Sequence, residues 1–223
     1  MLSLKEKITR HYKEDSALSW FVCLCAFLSN GIISGIDYTF GEPFGSIMKD
    51  FKSSEANVAW IGSVHSSVQL FSASFSSIVA KKFGFAPVIT IGILISTTFL
   101  VISLTSPNVS MLTLHYGCLA GFGLGLIYSP CLIICSFCFV KRRSLATGLA
   151  LCGSGIGIIA IAEAMNFFNK SYGWKGCVIV CASICPVNGL LAMAAYMLPI
   201  EPEDATVEDN EHRNLITHAD RIR

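Results

Sequence analysis

The chain has 223 residues, 53% of them hydrophobic and only 14% charged, where soluble domains carry about 25% charged residues. With a mean hydropathy of +0.61, it cannot be an ordinary soluble domain, and the composition predicts a multi-pass protein embedded in a lipid bilayer. A net charge of +1 gives no electrostatic footprint for nucleic acid, so the lysines and arginines carry information by position.

Residues 1–18 read as a cytoplasmic N-terminal segment holding Lys5, Lys7, Arg10 and Lys13. No charge then appears from Ser16 to Ile36, a run long enough to span, since about 20 helical residues cross about 30 Å of hydrocarbon. The pattern predicts a first transmembrane helix over 19–40, with Trp20 at the inner interface. Residues 41–55, with Pro43, Lys49 and Asp50, read as an external loop.

A second helix is expected over 57–80. It is uncharged as far as Ala80 but carries Ser63, Ser66, Ser67, Ser72, Ser74, Ser76, Ser77 and Gln69, which suits a place against protein or a watery cavity better than against lipid. After the Lys81-Lys82 turn, no Lys, Arg, Asp or Glu occurs from Phe83 to Val140. Ser106-Pro107-Asn108 divides this run into helices over 87–104 and 109–139, and Pro130 is expected to kink the second of them. The Lys141-Arg142-Arg143 turn leads to a helix over 144–168, a loop over 169–175 and a sixth helix over 176–198. Residues 199–223 are acidic and poor in apolar side chains, and read as a disordered cytoplasmic linker or tail.

The expected fold class is therefore an all-α membrane protein with six transmembrane helices and both termini cytoplasmic. Cation positions agree: Lys5, Lys7, Arg10, Lys13, Lys81, Lys82, Lys141, Arg142, Arg143, Arg213, Arg221 and Arg223 fall on the inside, and only Lys49, Lys52, Lys170 and Lys175 on the outside. The ten cysteines lie inside or at the edges of apolar runs and read as small apolar fillers. Cys131, Cys135 and Cys138 have no accompanying histidine, so no metal and no cofactor is expected.

The most informative stretch is 139–157, Phe-Val-Lys-Arg-Arg-Ser-Leu-Ala-Thr-Gly-Leu-Ala-Leu-Cys-Gly-Ser-Gly-Ile-Gly. Three cations between two uncharged segments set a cytoplasmic turn, and Gly148, Gly153, Ser154, Gly155 and Gly157 are expected to admit a neighbouring helix closely. Gly31-x-x-x-Gly35, Gly121-x-x-x-Gly125 and Gly153-x-x-x-Gly157 read as close-packing faces. No strand precedes these glycines, so they do not read as a nucleotide loop.

This stretch resembles the signature after the fourth helix in the monocarboxylate transporter family of the major facilitator superfamily. Gly121-Phe-Gly-Leu-Gly125-Leu-Ile-Tyr128-Ser-Pro130 resembles that family's helix 4, and Tyr172-Gly173-Trp174-Lys175 its loop before helix 6. The resemblance implies a major facilitator fold of which this chain is the N-terminal half, with a missing C-terminal half or a second copy as partner. It also implies that Lys141, Arg142 and Arg143 set topology or gate the cytoplasmic side. Members have a basic residue in or just after helix 1; this chain has no Lys or Arg between Lys13 and Lys49.

Four ionisable residues, Asp37, His65, His115 and Glu163, fall within the helices. At 1.5 Å rise per residue, Asp37 lies about 25 Å from the inner end of its helix and Glu163 about 30 Å beyond Arg143, so the four are expected in the outer third, as a vestibule or as interfacial groups. Asn30 and Gln69 lie near the midplane, as substrate donors or as interhelical hydrogen bonds. With no nucleophile–base pair or phosphate loop in the sequence, an enzyme is not expected. The expected function is secondary transport, as a symporter, of a small organic solute, a carboxylate or related metabolite, across the plasma membrane by alternating access. The alternative is a non-transporting six-helix membrane protein, or a truncated regulatory partner of a full-length transporter.

Overall fold

The computed structural model describes residues 17–139 and 142–197. The N-terminal segment through residue 16, Lys141 and the tail from residue 198 onward lie outside the described residues, and so do the expectations placed there. Among the described residues all regular structure is helical. The elements are α1 (Ala17–Tyr38), α2 (Gly41–Phe51), α3 (Glu55–Phe83), α4 (Phe85–Ser103), α5 (Val109–Leu112), a π-helical stretch (Thr113–Ala120), α6 (Gly121–Phe137) and α7 (Arg143–Met197). The last of α5, the π-helical stretch and α6 follow without interruption.

Punctuation comes from single residues. Ser54 caps α3, its Oγ accepting from the Asn57 N–H at 3.4 Å. Gly84, at φ 95°, separates α3 from α4 in one residue, a backbone angle that a side chain would strain. Gly173 breaks α7 at φ 64° and ψ −159°.

Two expected loops are corrected. Residues 41–51 form a helix despite Gly41, Pro43 and Gly45: Pro43 sits in its first turn, where the missing N–H costs nothing, and Pro43 and Ile47 bury one face. Residues 169–175 are helical apart from Gly173. Pro130 lies within α6, which continues through it. Among the described residues four stretches are long and apolar enough to cross a membrane, Ser19–Phe51, Phe85–Ser103, Val109–Ser136 and Arg143–Ala195, where six helices were expected. The hydroxyls and terminal charges of α3 lower its hydropathy, and the two helices expected over 144–168 and 176–198 join into the single stretch α7, bent at Gly173.

In space α7 is a hairpin. The Cys177 thiol donates to the Met165 carbonyl at 3.4 Å, although 12 residues of straight helix would span about 18 Å. Neighbouring residues of α1 touch both limbs: Ser29 Oγ donates to Asn188 Oδ1 at 2.5 Å, and Asn30 Nδ2 donates to the Ala150 and Leu151 carbonyls, each at 3.2 Å.

The first limb, 143–172, packs parallel to α1 in steps of four. Phe27, Gly31, Gly35 and Thr39 meet Gly153, Gly157, Ile161 and Met165 in turn, a constant offset of 126 residues. Backbones touch here: a Cβ on Gly31 would lie 2.8 Å from the Gly153 carbonyl oxygen, and one on Gly157 would overlap the Gly31 backbone. Gly153 and Gly157 therefore form the close-packing face, whereas Gly148 and Gly155 have open space where a Cβ would stand and Ser154 hydrogen-bonds within its own helix. This corrects the expectation that all five small residues share one contact.

Three of the α3 serines, Ser72, Ser76 and Ser77, are explained by α6. Proline lacks the N–H that would bond the carbonyl four residues earlier, which for Pro130 is that of Leu126. Ser76 Oγ donates to the Leu126 carbonyl at 3.1 Å, and Ser77 meets Ser129 at 2.5 Å. Gly125 packs its missing Cβ onto Ser72 and the Gln69 carbonyl. A polar, small-residue seam thus joins α3 to α6.

Candidate functional site

Asp37 and His65 are brought together at the end of the bundle that carries Gly173. Asp37, near the C-terminus of α1, is half-buried and accepts a hydrogen bond from Ser66 Oγ at 2.6 Å. His65, one residue before that serine, is 1% exposed. Its ring lies against Tyr116, centroids 5.0 Å apart, and its Nδ1 is 3.0 Å from the Tyr116 carbonyl oxygen. A carbonyl only accepts, so Nδ1 carries the proton and Nε2 holds a bare lone pair. That buried Nε2 has no partner. The carbonyl belongs to the π-helical stretch, whose wide turn shifts the backbone ladder and admits an outside donor. Gly121 makes the approach possible, since a Cβ there would stand 2.9 Å from the His65 carbonyl oxygen.

The other sequence candidates lie apart from this pair. Asn30 is 3% exposed and spends its Nδ2 on the α1–α7 contact described above, leaving Oδ1 unpartnered. Gln69 is also buried, its Oε1 without a partner. His115 pairs through Nδ1 with Ser106 Oγ at 3.1 Å and lies over Phe99, centroids 6.3 Å apart. Glu163 is exposed; the α1–α7 register sets it level with Asp37, but on another face.

At the opposite end Trp20 meets Phe139 edge to face at 5.2 Å. Arg142 is exposed, and its carbonyl accepts the Ala146 N–H at 3.0 Å. Arg143 Nη2 donates to Ser136 Oγ at 3.3 Å, tying α7 back to α6. Gly121 and Gly125 face α3.

Sequence reading missed a clamp. Asn169 Nδ2 donates to the Glu42 carbonyl and Ser46 Oγ to Asn169 Oδ1, both at 2.7 Å, and Trp174 Nε1 donates to Asp50 Oδ2 at 2.8 Å. Phe51 lies against Trp174, centroids 5.4 Å apart. Helix α2 is thereby strapped over the bend of α7, above a cavity of about 10 Å³ lined by Phe40, Ile47, Tyr116, Met165 and Cys181. The signal was the Phe40, Phe44, Ile47, Met48, Phe51 spacing, a one-sided helical pattern hidden by two glycines and a proline. Among the described residues no three His, Cys, Asp or Glu side chains converge to hold a metal ion.

The family profile of the Major Facilitator Superfamily matches residues 19–219. Monocarboxylate transporter 13 of Rattus norvegicus is 31% identical over 194 residues, 86% of this chain and 45% of the relative. Monocarboxylate transporter 11 of Homo sapiens is 31% identical over 186 residues, 83% of this chain and 39% of the relative. Monocarboxylate transporter 1 of Bos taurus is 29% identical over 208 residues, 92% and 40%. The chain spans less than half the length of each.

Proposed function

Since the chain belongs to the Major Facilitator Superfamily, with monocarboxylate transporters among its relatives, we propose that it is the N-terminal six-helix half of a secondary transporter. Its solute is a small organic molecule, a carboxylate or related metabolite, moved by alternating access, a symport in the scheme the sequence suggests. The six helices are α1, α3, α4, the α5–α6 rod and the two limbs of α7, with both termini on the cytoplasmic side of the plasma membrane. A secondary transporter of this kind holds its solute between two such halves and rocks one against the other.

The observation that carries the reading is the hairpin of α7 about Gly173, whose two limbs meet adjacent residues of α1. It turns the longest apolar stretch into two bilayer-length helices, which makes five spans of the four apolar stretches; α3, 29 residues long but more polar, supplies the sixth in this reading. The partner, a C-terminal half or a second copy of this chain, covers the open side of the first limb at Gly148, Cys152 and Gly155, where exposed Leu145, Leu149, Ile156 and Ile159 already present apolar surface.

The test is to sequence the transcript past the codon for Arg223 and to assay its full product for uptake of labelled small carboxylates in proteoliposomes. Six further helices with saturable uptake are expected. A stop codon there, with stable membrane expression and no uptake, contradicts the proposal in favour of a non-transporting membrane protein.

A further inference from the structure

Among the described residues, lysine and arginine are missing from the middle of every helix of this bundle, the limbs of α7 taken separately. Along the described helices the lysines and arginines sit at or beyond the ends: Lys49 and Lys52 by α2, Lys81 and Lys82 at the end of α3, Arg142 and Arg143 before α7, and Lys170 and Lys175 flanking its bend. Between those ends the fixed charges are acidic, Asp37 on α1 and Glu163 on α7. An intramembrane carboxylate is costly unless it is paired, and no cationic side chain of the described residues pairs with Asp37; its hydrogen-bond donor is the Ser66 hydroxyl. One such bond leaves most of the accepting capacity of a carboxylate unused.

The surroundings point the same way. The nearest titratable neighbour on α3, His65, has given its only N–H to the Tyr116 carbonyl and keeps a buried lone pair on Nε2. Ser66 has given its hydrogen to Asp37 itself. Tyr38, next in sequence, is 71% exposed and offers an aromatic face, a surface that attracts cations. The site therefore holds lone pairs and π-density and no spare N–H. A carboxylate brought here would find repulsion and no donor. An ammonium group would find both a counter-charge and acceptors for its hydrogens.

We infer that the solute carries a cationic ammonium group, and that Asp37, held by Ser66 and flanked by His65 and Tyr38, is where this half of the protein receives it. The inference rests on the transporter reading and narrows its solute from a simple carboxylate anion to an ammonium-bearing one, a zwitterion whose carboxylate is met by the other half.

Two probes of equal length and opposite charge test it, n-butylammonium and butyrate, titrated against the purified full chain in lipid nanodiscs by isothermal calorimetry. Butylammonium is expected to bind and butyrate not. Asp37→Asn is expected to weaken butylammonium at least about tenfold, as loss of a charged partner does, with Asp37→Glu restoring part of it. If Asp37→Asn fails to fold by thermal melting, Ser66→Ala takes its place, with an expected loss of about threefold. Binding of butyrate, binding of neither probe, or butylammonium binding that ignores Asp37 and Ser66 overturns the inference. Because binding to this half is read separately from uptake, a solute that is transported without touching Asp37 leaves the transporter reading standing, whereas absence of any uptake removes that reading itself.

Discussion

Along one limb of α7, glycines two residues apart meet opposite surroundings. Gly157 is pressed so closely on the Gly31 backbone that a Cβ would overlap it, whereas Gly155 faces open space. The two are indistinguishable by residue type. What separates them is the register of four-residue steps that carries Phe27, Gly31, Gly35 and Thr39 along 153, 157, 161 and 165. A small residue in a membrane helix records that something comes close only when it lies on the stripe that the neighbour follows; off that stripe, the space is left for another occupant.

The sharpest way to break this comparison is to fill both positions. Gly157→Leu is expected to cost about 3 kcal/mol, the upper range for overpacking a filled contact, and to abolish a cooperative melt of the purified chain. Gly155→Leu is expected to leave the melting temperature of the same chain unchanged. Equal losses at the two positions would mean that the α1–α7 register is wrong.

A second, smaller contrast lies at the bend of the same helix. Trp174 binds the Asp50 carboxylate through Nε1, while Tyr172, on the other side of Gly173, is 70% exposed. Trp174→Phe keeps the ring against Phe51 but removes the hydrogen bond to a charged acceptor. The expected cost is about 1.5–2 kcal/mol, read as faster hydrogen exchange in 41–51; Tyr172→Phe is expected to leave that exchange unchanged.

The third contrast transfers the argument to α3. Ser74 is exposed and bonds the Leu70 carbonyl of its own helix, whereas Ser76 bonds Leu126 of α6 across the seam. Ser76→Ala is expected to cost about 1 kcal/mol, as interhelical hydrogen bonds in membranes do, and Ser74→Ala nothing measurable. In a Pro130→Ala background Leu126 regains a donor from its own helix, and the Ser76→Ala cost is expected to shrink in the double-mutant cycle.

How much of this was legible in the sequence follows from where charges fall. Helix ends were readable because Lys82 and the Lys141–Arg143 cluster bracket uncharged runs, and α3, α6 and α7 end or begin close to those marks; Lys175 marks a bend inside α7 and not an end. The family was readable because its signature lies in one continuous stretch, 139–157. Helix α2 was hidden because Gly41, Pro43 and Gly45 carry breaker propensities that tertiary packing overrides at a helix start. The turn between the expected helices over 144–168 and 176–198 was legible, but its shortness was not: the residues of 169–175 are helical apart from Gly173, which alone makes the turn.

The site was only half legible. Asp37 and His65 were visible as ionisable residues in apolar runs, but their meeting is a contact between α1 and α3, made where Ser66 reaches Asp37, and the contact of His65 with the Tyr116 carbonyl is likewise one that no residue pattern announces. Depth was readable for Glu163 from rise per residue, but its face was not. The serines of α3 suggested a protein or water neighbour without saying which helix, and Pro130 was read as a kink when its larger consequence is an open carbonyl for Ser76.

The central claim is that the open side of 143–172 is a seat for the other half of a transporter. Cys152 lies on that side as an exposed free thiol, in a groove with Arg142, Ser144, Leu145, Gly148 and Leu149. The direct measurement is the rate of N-ethylmaleimide labelling at Cys152, read by mass spectrometry in nanodiscs, for the 223-residue chain alone and for the longer product or the two halves together. The account predicts ready labelling in the chain alone and protection of about tenfold or more in the assembled transporter, as steric occlusion by a packed helix requires. Equal labelling in both would contradict it.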